Sequence, residues 1–160
     1  YGKRSRHKAT GEDKCEHKTA LLYGYPGMSP DNLDFYIEKK YKGIVVAGTG
    51  LGHVAGLGGD KNTKYSILNK IKEMNESGIS VVVSTQTIYG RVHPYVYTNL
   101  RKLSMGLNCI FAEDMLPETA YVKLGWVLGH TDKIEEVKKM MLTNYAGEIT
   151  DRSDGEGFLY

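Results

Sequence analysis

Four short apolar runs divide the chain, and they are the strongest structural signal in the sequence. They cover Thr19–Tyr23, Gly43–Ala47, Ile79–Val83 and Leu107–Ala112. A strand with one exposed face alternates apolar and polar residues, whereas these runs are almost continuously apolar. The pattern therefore predicts strands that are buried on both faces of a sheet.

Helical patterns follow the first two runs. Ser29 is a predicted N-cap, with Pro30 at the first helical position. After the second run, Asn62 or Thr63 can cap a helix that ends at Gly78. The chain therefore alternates strand, helix, strand and helix.

Further helical patterns complete the predicted domain. One follows the third apolar run and ends at Gly106. Two more lie at 117–128 and 132–142, and the last of these starts with Asp132 and Glu135, which have the spacing of a capping box. We therefore expect two consecutive helices after the last strand.

This order predicts a small doubly wound α/β domain, with a four-stranded parallel sheet and helices on both faces. The loops that follow parallel strands open at one edge of such a sheet. The polar side chains expected along this rim are Tyr25, Thr49, His53, Ser84, Thr85, Gln86, Glu113 and Asp114.

One domain accounts for the length and composition, since 160 residues with 41% apolar content can form a single core. We expect a linker or mobile arm at 1–17, the α/β domain at 18–150 and a polar tail at 151–160. The formal net charge of +2 is concentrated in the arm, so the domain itself offers no electrostatic footprint for nucleic acid.

Cysteine usage and hydropathy favour a protein of the reducing cytoplasm. Cys15 lies in the polar arm and Cys109 in an apolar run, so we expect free thiols rather than a disulfide. No run approaches the ~20 apolar residues of a membrane span. The start at Tyr1 suggests a piece of a longer protein.

The second strand runs into a glycine-rich loop, Gly48–His53, which carries the most informative chemistry. Glycines let another molecule approach the main chain closely, and Thr49 and His53 are the reactive side chains. The loop fits a loose dinucleotide-binding pattern, but no helix follows at once and no acidic residue follows the third strand. A module that binds a nucleotide or small ligand stays open as an alternative function.

The residues alone do not define a catalytic centre. Thr49, Ser84 and Thr85 are conceivable nucleophiles, but no nucleophile elbow or paired base accompanies them. The rim histidines and carboxylates lack metal-ligand spacing, so we expect no metal site. The residues considered as metal ligands are His53, Asp60, His93, Glu113 and Asp114.

The segment Tyr41–His53, followed by Ser84–Gln86 and Tyr89–Val92, resembles the C-terminal domain of the L-asparaginase and glutaminase family. Later runs are similar to the branch of that family found as the D subunit in archaeal Glu-tRNA(Gln) amidotransferases. These runs are Glu113–Leu124, Trp126–Asp132 and Met140–Ile149. The resemblance covers about Lys18 to Arg152.

The resemblance implies a glutaminase-type subunit that releases ammonia from glutamine, or asparagine, for transamidation of Glu-tRNA(Gln) to Gln-tRNA(Gln). It implies a homodimer through asparaginase-like domains and an E subunit that uses ATP and Mg²⁺ and handles the tRNA. It also implies a cytoplasmic protein without a membrane segment and without a cofactor in this domain. The C-terminal domain of an L-asparaginase is the alternative within the family.

The resemblance also implies where the site lies. The catalytic threonines, aspartate and lysine of the family belong to an N-terminal domain, so no catalytic residue is assigned in this chain. The loop after the second strand lends a polar side chain to the site of a neighbouring subunit, and His53 takes the place where many asparaginases carry asparagine. Thr49, Gly50 and Gly52 join it as substrate-binding residues in trans. Possible rim contacts are Ser84, Thr85, Gln86, Tyr89 and Arg91.

His53 can act in two ways at this position. Its imidazole can donate a hydrogen bond to a substrate carboxylate, and a protonated ring would add positive charge. Alternatively, the imidazole forms a hydrogen bond within its own loop.

Overall fold

A parallel sheet of four strands forms the centre of the structure. The computed structural model describes residues 11–56 and 66–152. The strands are β1 (Thr19–Tyr23), β2 (Gly43–Gly48), β3 (Ser80–Thr85) and β4 (Ile110–Phe111). They lie in the spatial order β1-β2-β3-β4, and every adjacent pair is parallel, as the apolar runs predict.

Helices and helical turns connect these strands. The α-helices of the described ranges are α1 (Asp34–Glu38), α2 (Leu68–Glu76), α3 (Thr98–Arg101), α4 (Pro117–His130) and α5 (Ile134–Met141). A 3₁₀ turn at Pro30–Leu33, capped by Ser29 as predicted, leads into α1. A π-helical turn at Lys102–Gly106 extends α3. The predicted caps of α2, Asn62 and Thr63, lie outside the described residues.

Both faces of the sheet are covered by helices, and the strand order explains how. The strands follow one another without reversal, so right-handed crossovers place α1, α2 and α3 over the same face. That face presents Val46 and Val83 to one core cluster. The opposite face, with Val45 and Val82, packs against α4 and α5, which follow the last strand. The predicted α/β sheet with helices on both faces is confirmed.

The fourth strand is shorter than predicted. Of the apolar run Leu107–Ala112, only Ile110 and Phe111 lie in β4, and the amide of Ala112 adds one bond to the carbonyl of Val83 at 2.8 Å. The amides of Leu107 and Cys109 instead donate to carbonyls of the π-helical turn, both at 2.9 Å. Residues that close a helical turn cannot also extend a strand, so the apolar run is longer than the element it forms.

The predicted capping box at the start of α5 is wrong. Lys133 occupies the N-cap position, and no side-chain cap forms there. Thr131 bridges the start of the helix, because its Oγ1 accepts the amide of Lys133 at 3.3 Å and donates to Glu136 at 2.7 Å. Asp132 and Glu135 have the spacing of a capping box but lie one position out of register with the helix start.

The chain before β1 packs against α4. The amide of Glu16 donates to the carbonyl of Gly125 at 2.9 Å. A Cβ atom at Gly129 would lie 2.7 Å from the carbonyl carbon of Lys14, so only glycine lets the two segments approach this closely. Of the predicted arm at 1–17, the structure describes residues from Gly11 onward, and these run along the helix.

An ion pair between the buried Lys123 and the partly buried Glu148 attaches the segment after α5 to α4. Lys123 Nζ lies 2.5 Å from Glu148 Oε1 and donates to the carbonyl of Thr143 at 2.6 Å. Glu148 also accepts the amides of Tyr145 and Ala146. Burial acts to raise the pKa of Glu148, but the hydrogen bonds from Lys123 and the two amides outweigh it and lower that pKa to about 2.

We predict that Glu148→Gln destabilises the fold near neutral pH and reduces its acid sensitivity. A carboxyl group whose pKa is lowered on folding stabilises the protein above its ordinary pKa of 4.5, and that contribution is lost as the pH falls toward about 2. The substitution leaves the Lys123 ammonium without its counter-charge, at a cost of about 3–5 kcal/mol. The measurement is urea unfolding of the chain from about pH 2 to about pH 7, followed by the fluorescence of Trp126, the single tryptophan.

The matched control is Glu135→Gln, an exposed position on α5. We expect its unfolding free energy to stay within about 0.5 kcal/mol of the original. If Glu148→Gln behaved like this control near neutral pH, the ion pair would not be what fastens the segment.

Candidate functional site

The glycine-rich loop closes on itself directly after β2. The amide of Thr49 donates to the carbonyl of His53, and the amide of His53 donates to the carbonyl of Thr49, both at 2.8 Å. The amide of Gly52 donates to the same Thr49 oxygen at 3.1 Å. The loop is therefore a short closed turn at the carboxyl edge of the sheet.

The glycines of this turn have separate roles. A Cβ atom at Gly48 would lie 2.5 Å from the carbonyl carbon of Gly52, so the backbone itself occupies the space of a side chain. Gly52 has a φ of 101°, and a Cβ atom there would lie 2.9 Å from Val83. Gly50 has a φ of 52°, and no described atom lies within 4 Å of its Cβ position. A ligand can therefore approach the main chain at Gly50.

Two side chains at the end of β3, Thr85 and Gln86, hold the loop in place. Thr85 Oγ1 donates to the carbonyl of Gly50 at 2.5 Å. The side-chain amide of Gln86 donates to the carbonyls of Gly24 and Ala47, at 2.6 and 2.8 Å. These predicted rim residues therefore bind the backbone around the loop and support its shape.

Ser84 lies below the rim instead of on it. It is fully buried, and its hydroxyl donates to the carbonyl of Met115 at 2.8 Å. Thr85 is also buried. Neither hydroxyl is open to a substrate at this edge, which leaves Thr49 as the exposed hydroxyl of the candidate nucleophiles.

His53 and Thr49 are the open side chains of the loop. Thr49 is exposed and His53 is half-buried. The imidazole of His53 lies with its centroid 5.0 Å from that of the Tyr97 ring, at an interplanar angle of 60°. Within the described ranges only the backbone of His53 forms hydrogen bonds to the loop, and the imidazole is positioned by the aromatic contact.

Arg91 is engaged with two carboxylates that follow β4. Its Nη1 lies 2.6 Å from Glu113 Oε2, and its Nη2 lies 3.5 Å from Asp114 Oδ2. Burial acts to raise the pKa of Asp114, but hydrogen bonds from Thr150 and the Arg91 charge outweigh it and lower that pKa. These three predicted rim residues form one cluster with one another.

The remaining candidates include two tyrosines near the surface. Tyr25 and Tyr89 expose about half of their surface, and Tyr25 accepts a hydrogen bond from Asn32. In the described ranges, no group of three or more His, Cys, Asp or Glu side chains is placed to hold a metal ion, and Asp60 lies outside those ranges. Both cysteine thiols are free. No helix in the described part of the chain is long and apolar enough to cross a membrane.

Sequence reasoning missed three polar residues that support this edge, namely Lys123, Glu148 and Thr150. Lys123 and Glu148 are 25 residues apart, and no periodic pattern surrounds the latter two. One signal was available: Lys123 lies at helical spacing from Ala120 and Val127, on the buried face of α4. A lysine at such a position requires a buried partner.

The chain is similar to archaeal proteins named as the D subunit of Glutamyl-tRNA(Gln) amidotransferase. It is 53% identical over 150 residues to that of Pyrococcus abyssi and 50% identical over 159 residues to that of Pyrococcus furiosus. These matches cover 94% and 99% of this chain but 32% and 34% of the relatives. The chain thus spans about a third of the length of these relatives.

Solved structures of asparaginases share the fold. The thermostable L-asparaginase from Thermococcus kodakarensis superposes with a TM-score of 0.75 at 31% identity, over 92% of this chain and 44% of the other. L-asparaginase I from Vibrio cholerae gives a TM-score of 0.68 at 26% identity, over 83% of this chain and 38% of the other.

A parallel α/β domain that displays a glycine-rich turn at its carboxyl edge is a domain built to present backbone and polar side chains to a ligand. Within that class, the chain belongs to the glutaminase/asparaginase C-terminal domain family, whose model matches residues 18–141. The resemblance seen in the glycine-rich loop and in the runs that follow it is thereby confirmed.

We predict that Gly48→Ala opens the closed turn. The added methyl group would meet backbone atoms of Gly52 and His53 at 2.5–2.7 Å, and backbone cannot rotate away as a side chain can. We expect a loss of about 1–3 kcal/mol in stability, with faster hydrogen exchange at the amides of Thr49 and His53. The measurements are urea unfolding and amide hydrogen exchange.

Gly106→Ala is the control, because a Cβ atom there meets no described atom within 4 Å and its φ is not positive. Equal exchange rates at Thr49 and His53 in both variants would mean that the turn does not depend on the bare Cα of Gly48.

Proposed function

We propose that this chain is the C-terminal domain of the glutaminase-type D subunit of an amidotransferase. That subunit releases ammonia from glutamine, or asparagine, for transamidation of Glu-tRNA(Gln) to Gln-tRNA(Gln). The observation that carries the proposal is the 53% identity, over 94% of the chain, to a protein named as such a subunit. Because the chain spans 32% of that relative, the activity belongs to the longer protein.

In this proposal the chain contributes substrate binding, and the catalytic residues lie in an asparaginase-type N-terminal domain. The turn Gly48–His53 faces the site of a neighbouring subunit. Its bare main chain at Gly50 admits the substrate closely, and Gly52 keeps the turn tight. Thr49 and His53 then contact the substrate, and the imidazole donates a hydrogen bond to its carboxylate.

The proposed partners follow from the same assignment. Two copies of the subunit form a homodimer, so that each C-terminal domain reaches the site of its neighbour. An E subunit receives the ammonia and uses ATP and Mg²⁺ to activate Glu-tRNA(Gln), so the tRNA is contacted through that partner. We place the complex in the cytoplasm, where tRNA is aminoacylated.

The C-terminal domain of an L-asparaginase is the second candidate. It is favoured by the 0.75 TM-score to the Thermococcus kodakarensis L-asparaginase, which this chain matches over 92% of its length. The two candidates differ in what happens to the ammonia, because an asparaginase releases it to solvent and an amidotransferase transfers it to a partner.

The experiment uses the full-length subunit that contains this chain, with and without its E subunit. We expect ammonia release from glutamine, and formation of Gln-tRNA(Gln) only when the E subunit, ATP, Mg²⁺ and Glu-tRNA(Gln) are present. Ammonia release from asparagine without any Gln-tRNA(Gln) formation would favour the asparaginase. Stabilisation by ATP or NAD in a thermal-shift assay, without amidohydrolase activity, would favour a nucleotide-binding module instead.

We predict that His53→Ala in the full-length subunit raises the KM for glutamine about ten- to a hundredfold, which corresponds to the loss of one charge-assisted contact of about 1.5–3 kcal/mol. We expect the melting temperature to change little, because within the described ranges the imidazole contacts Tyr97 without a hydrogen bond. Steady-state kinetics give the KM.

His17→Ala serves as the matched control, since His17 is exposed in the segment before β1. An active subunit whose KM is the same with and without the His53 imidazole would place that side chain outside the site.

A further inference from the structure

The segment that follows α5 returns to the edge of the sheet where the glycine-rich loop lies. The match to the family model ends at residue 141, so this segment lies beyond the matched domain. It forms a tight turn in which Asn144 accepts the amide of Gly147 at 2.8 Å and donates to the carbonyl of Ile149 at 2.7 Å. The Lys123–Glu148 ion pair fastens the turn to α4. Thr150 follows two residues later at a defined position.

Thr150 contacts two of the three charged side chains of this cluster, Arg91 and Asp114. Its amide donates to Asp114 Oδ1 at 3.0 Å, and its hydroxyl donates to Asp114 Oδ2. Arg91 Nη2 donates to the Thr150 carbonyl at 2.5 Å and to its hydroxyl oxygen at 3.1 Å. By contrast, the direct approach of Arg91 Nη2 to Asp114 is 3.5 Å. Thr150 therefore supplies the closest contacts between the arginine and this carboxylate.

The cluster reaches the loop through the residues after Arg91. The amide of Val92 donates to the carbonyl of Glu113 at 2.9 Å, and the amide of His93 donates to the carbonyl of Leu51 at 3.0 Å. The buried side chain of Val92 also closes the space beside Gly52, where an added Cβ atom would meet it at 3.2 Å. A displacement of Arg91 would thus move the segment on which the loop rests.

The backbone conformation of Glu113 depends on its contacts with Arg91 and Val92. It has a φ of 55°, a left-handed conformation that is unfavourable for a residue with a side chain. Its carboxylate accepts Arg91 Nη1 at 2.6 Å, and its carbonyl accepts Val92. These contacts hold the residue in that conformation.

We propose that Thr150 is a positioning residue for the substrate-binding loop. It fixes Arg91 against Asp114. With Arg91 fixed, Val92 and His93 stay against Gly52 and Leu51, and this sets the position of His53. This inference rests on the proposed function, since the loop is taken to bind the substrate. It adds a segment beyond the matched family domain to the parts that determine the geometry of the site.

The test uses Thr150→Val in the full-length subunit, a change that keeps the shape and the amide but removes the hydroxyl. We expect the KM for glutamine to rise about three- to tenfold, the effect of one ordinary hydrogen bond, with kcat within about twofold, because a displaced binding loop weakens uniform binding. Hydrogen exchange at the amides of Gly52 and His53 should become faster. Thr150→Ser, which retains the hydroxyl, should have the KM and the amide exchange rates of the original subunit.

Thr143→Val is the matched control in the same segment, because the Thr143 hydroxyl donates to the Lys139 carbonyl and not to the cluster. It should leave the KM and the exchange of the loop amides unchanged. An unchanged KM in an active Thr150→Val subunit would overturn the inference. A lower melting temperature and a lower kcat that Thr150→Ser fails to rescue would also overturn it, because that pattern indicates a structural role alone.

Failure of the proposed function gives a different result. A full-length subunit without any amidohydrolase activity would contradict the proposed function and give no KM, while the exchange of the Gly52 and His53 amides would still report whether Thr150 holds the loop. Faster exchange in Thr150→Val, and normal exchange in Thr150→Ser, would then support the positioning of the loop by Thr150.

Discussion

The pairing of β2 between β1 and β3 is the constraint on which the rest of the structure depends. Every residue of β2 is buried, and its register with β3 runs from Gly43 opposite Ser80 to Gly48 opposite Thr85. This last pair places the start of the loop beside Thr85, whose hydroxyl reaches the carbonyl of Gly50. A slip by one residue would turn the side chains of β3 to opposite faces and remove that contact. The geometry of the loop therefore depends on how β2 and β3 pair.

The polar side chains at this edge serve mainly to satisfy the irregular backbone. Carbonyl groups in the loops and at the ends of the strands need donors, and Ser84, Thr85 and Gln86 provide them to Met115, Gly50, Gly24 and Ala47. Removing the Ser84 hydroxyl would leave the carbonyl of the buried Met115 without this donor, at a cost of about 1–3 kcal/mol. The hydroxyls of Ser84 and Thr85 thus bind backbone carbonyls, whereas Thr49 and His53 in the glycine-rich turn remain accessible.

Local patterns in the sequence predicted the strands, but they did not predict contacts between residues far apart in the chain. The apolar runs predicted β1, β2 and β3 to within two residues at each end, because strands buried on both faces leave a continuous signal. The run that begins at Leu107 predicted too long a strand, because buried residues of a helical turn are apolar as well. The glycine-rich loop was recognisable because its shape depends on missing side chains. Thr150 was not, because its partners Asp114 and Arg91 lie 36 and 59 residues away in the sequence.

The buried pair of Lys123 and Glu148 connects stability with the geometry of the site. An ion pair in the interior loses hydration that its mutual attraction only partly returns, so its net contribution to stability can be small. Its effect on position is larger, because the buried Lys123 ammonium needs the Glu148 carboxylate beside it. The pair thus admits one placement of the turn at Tyr145–Gly147, and with it one placement of Thr150 two residues after Glu148. The ion pair loses hydration beside α4, and in return it fixes the position of the segment that reaches the Arg91 cluster at the carboxyl edge of the sheet.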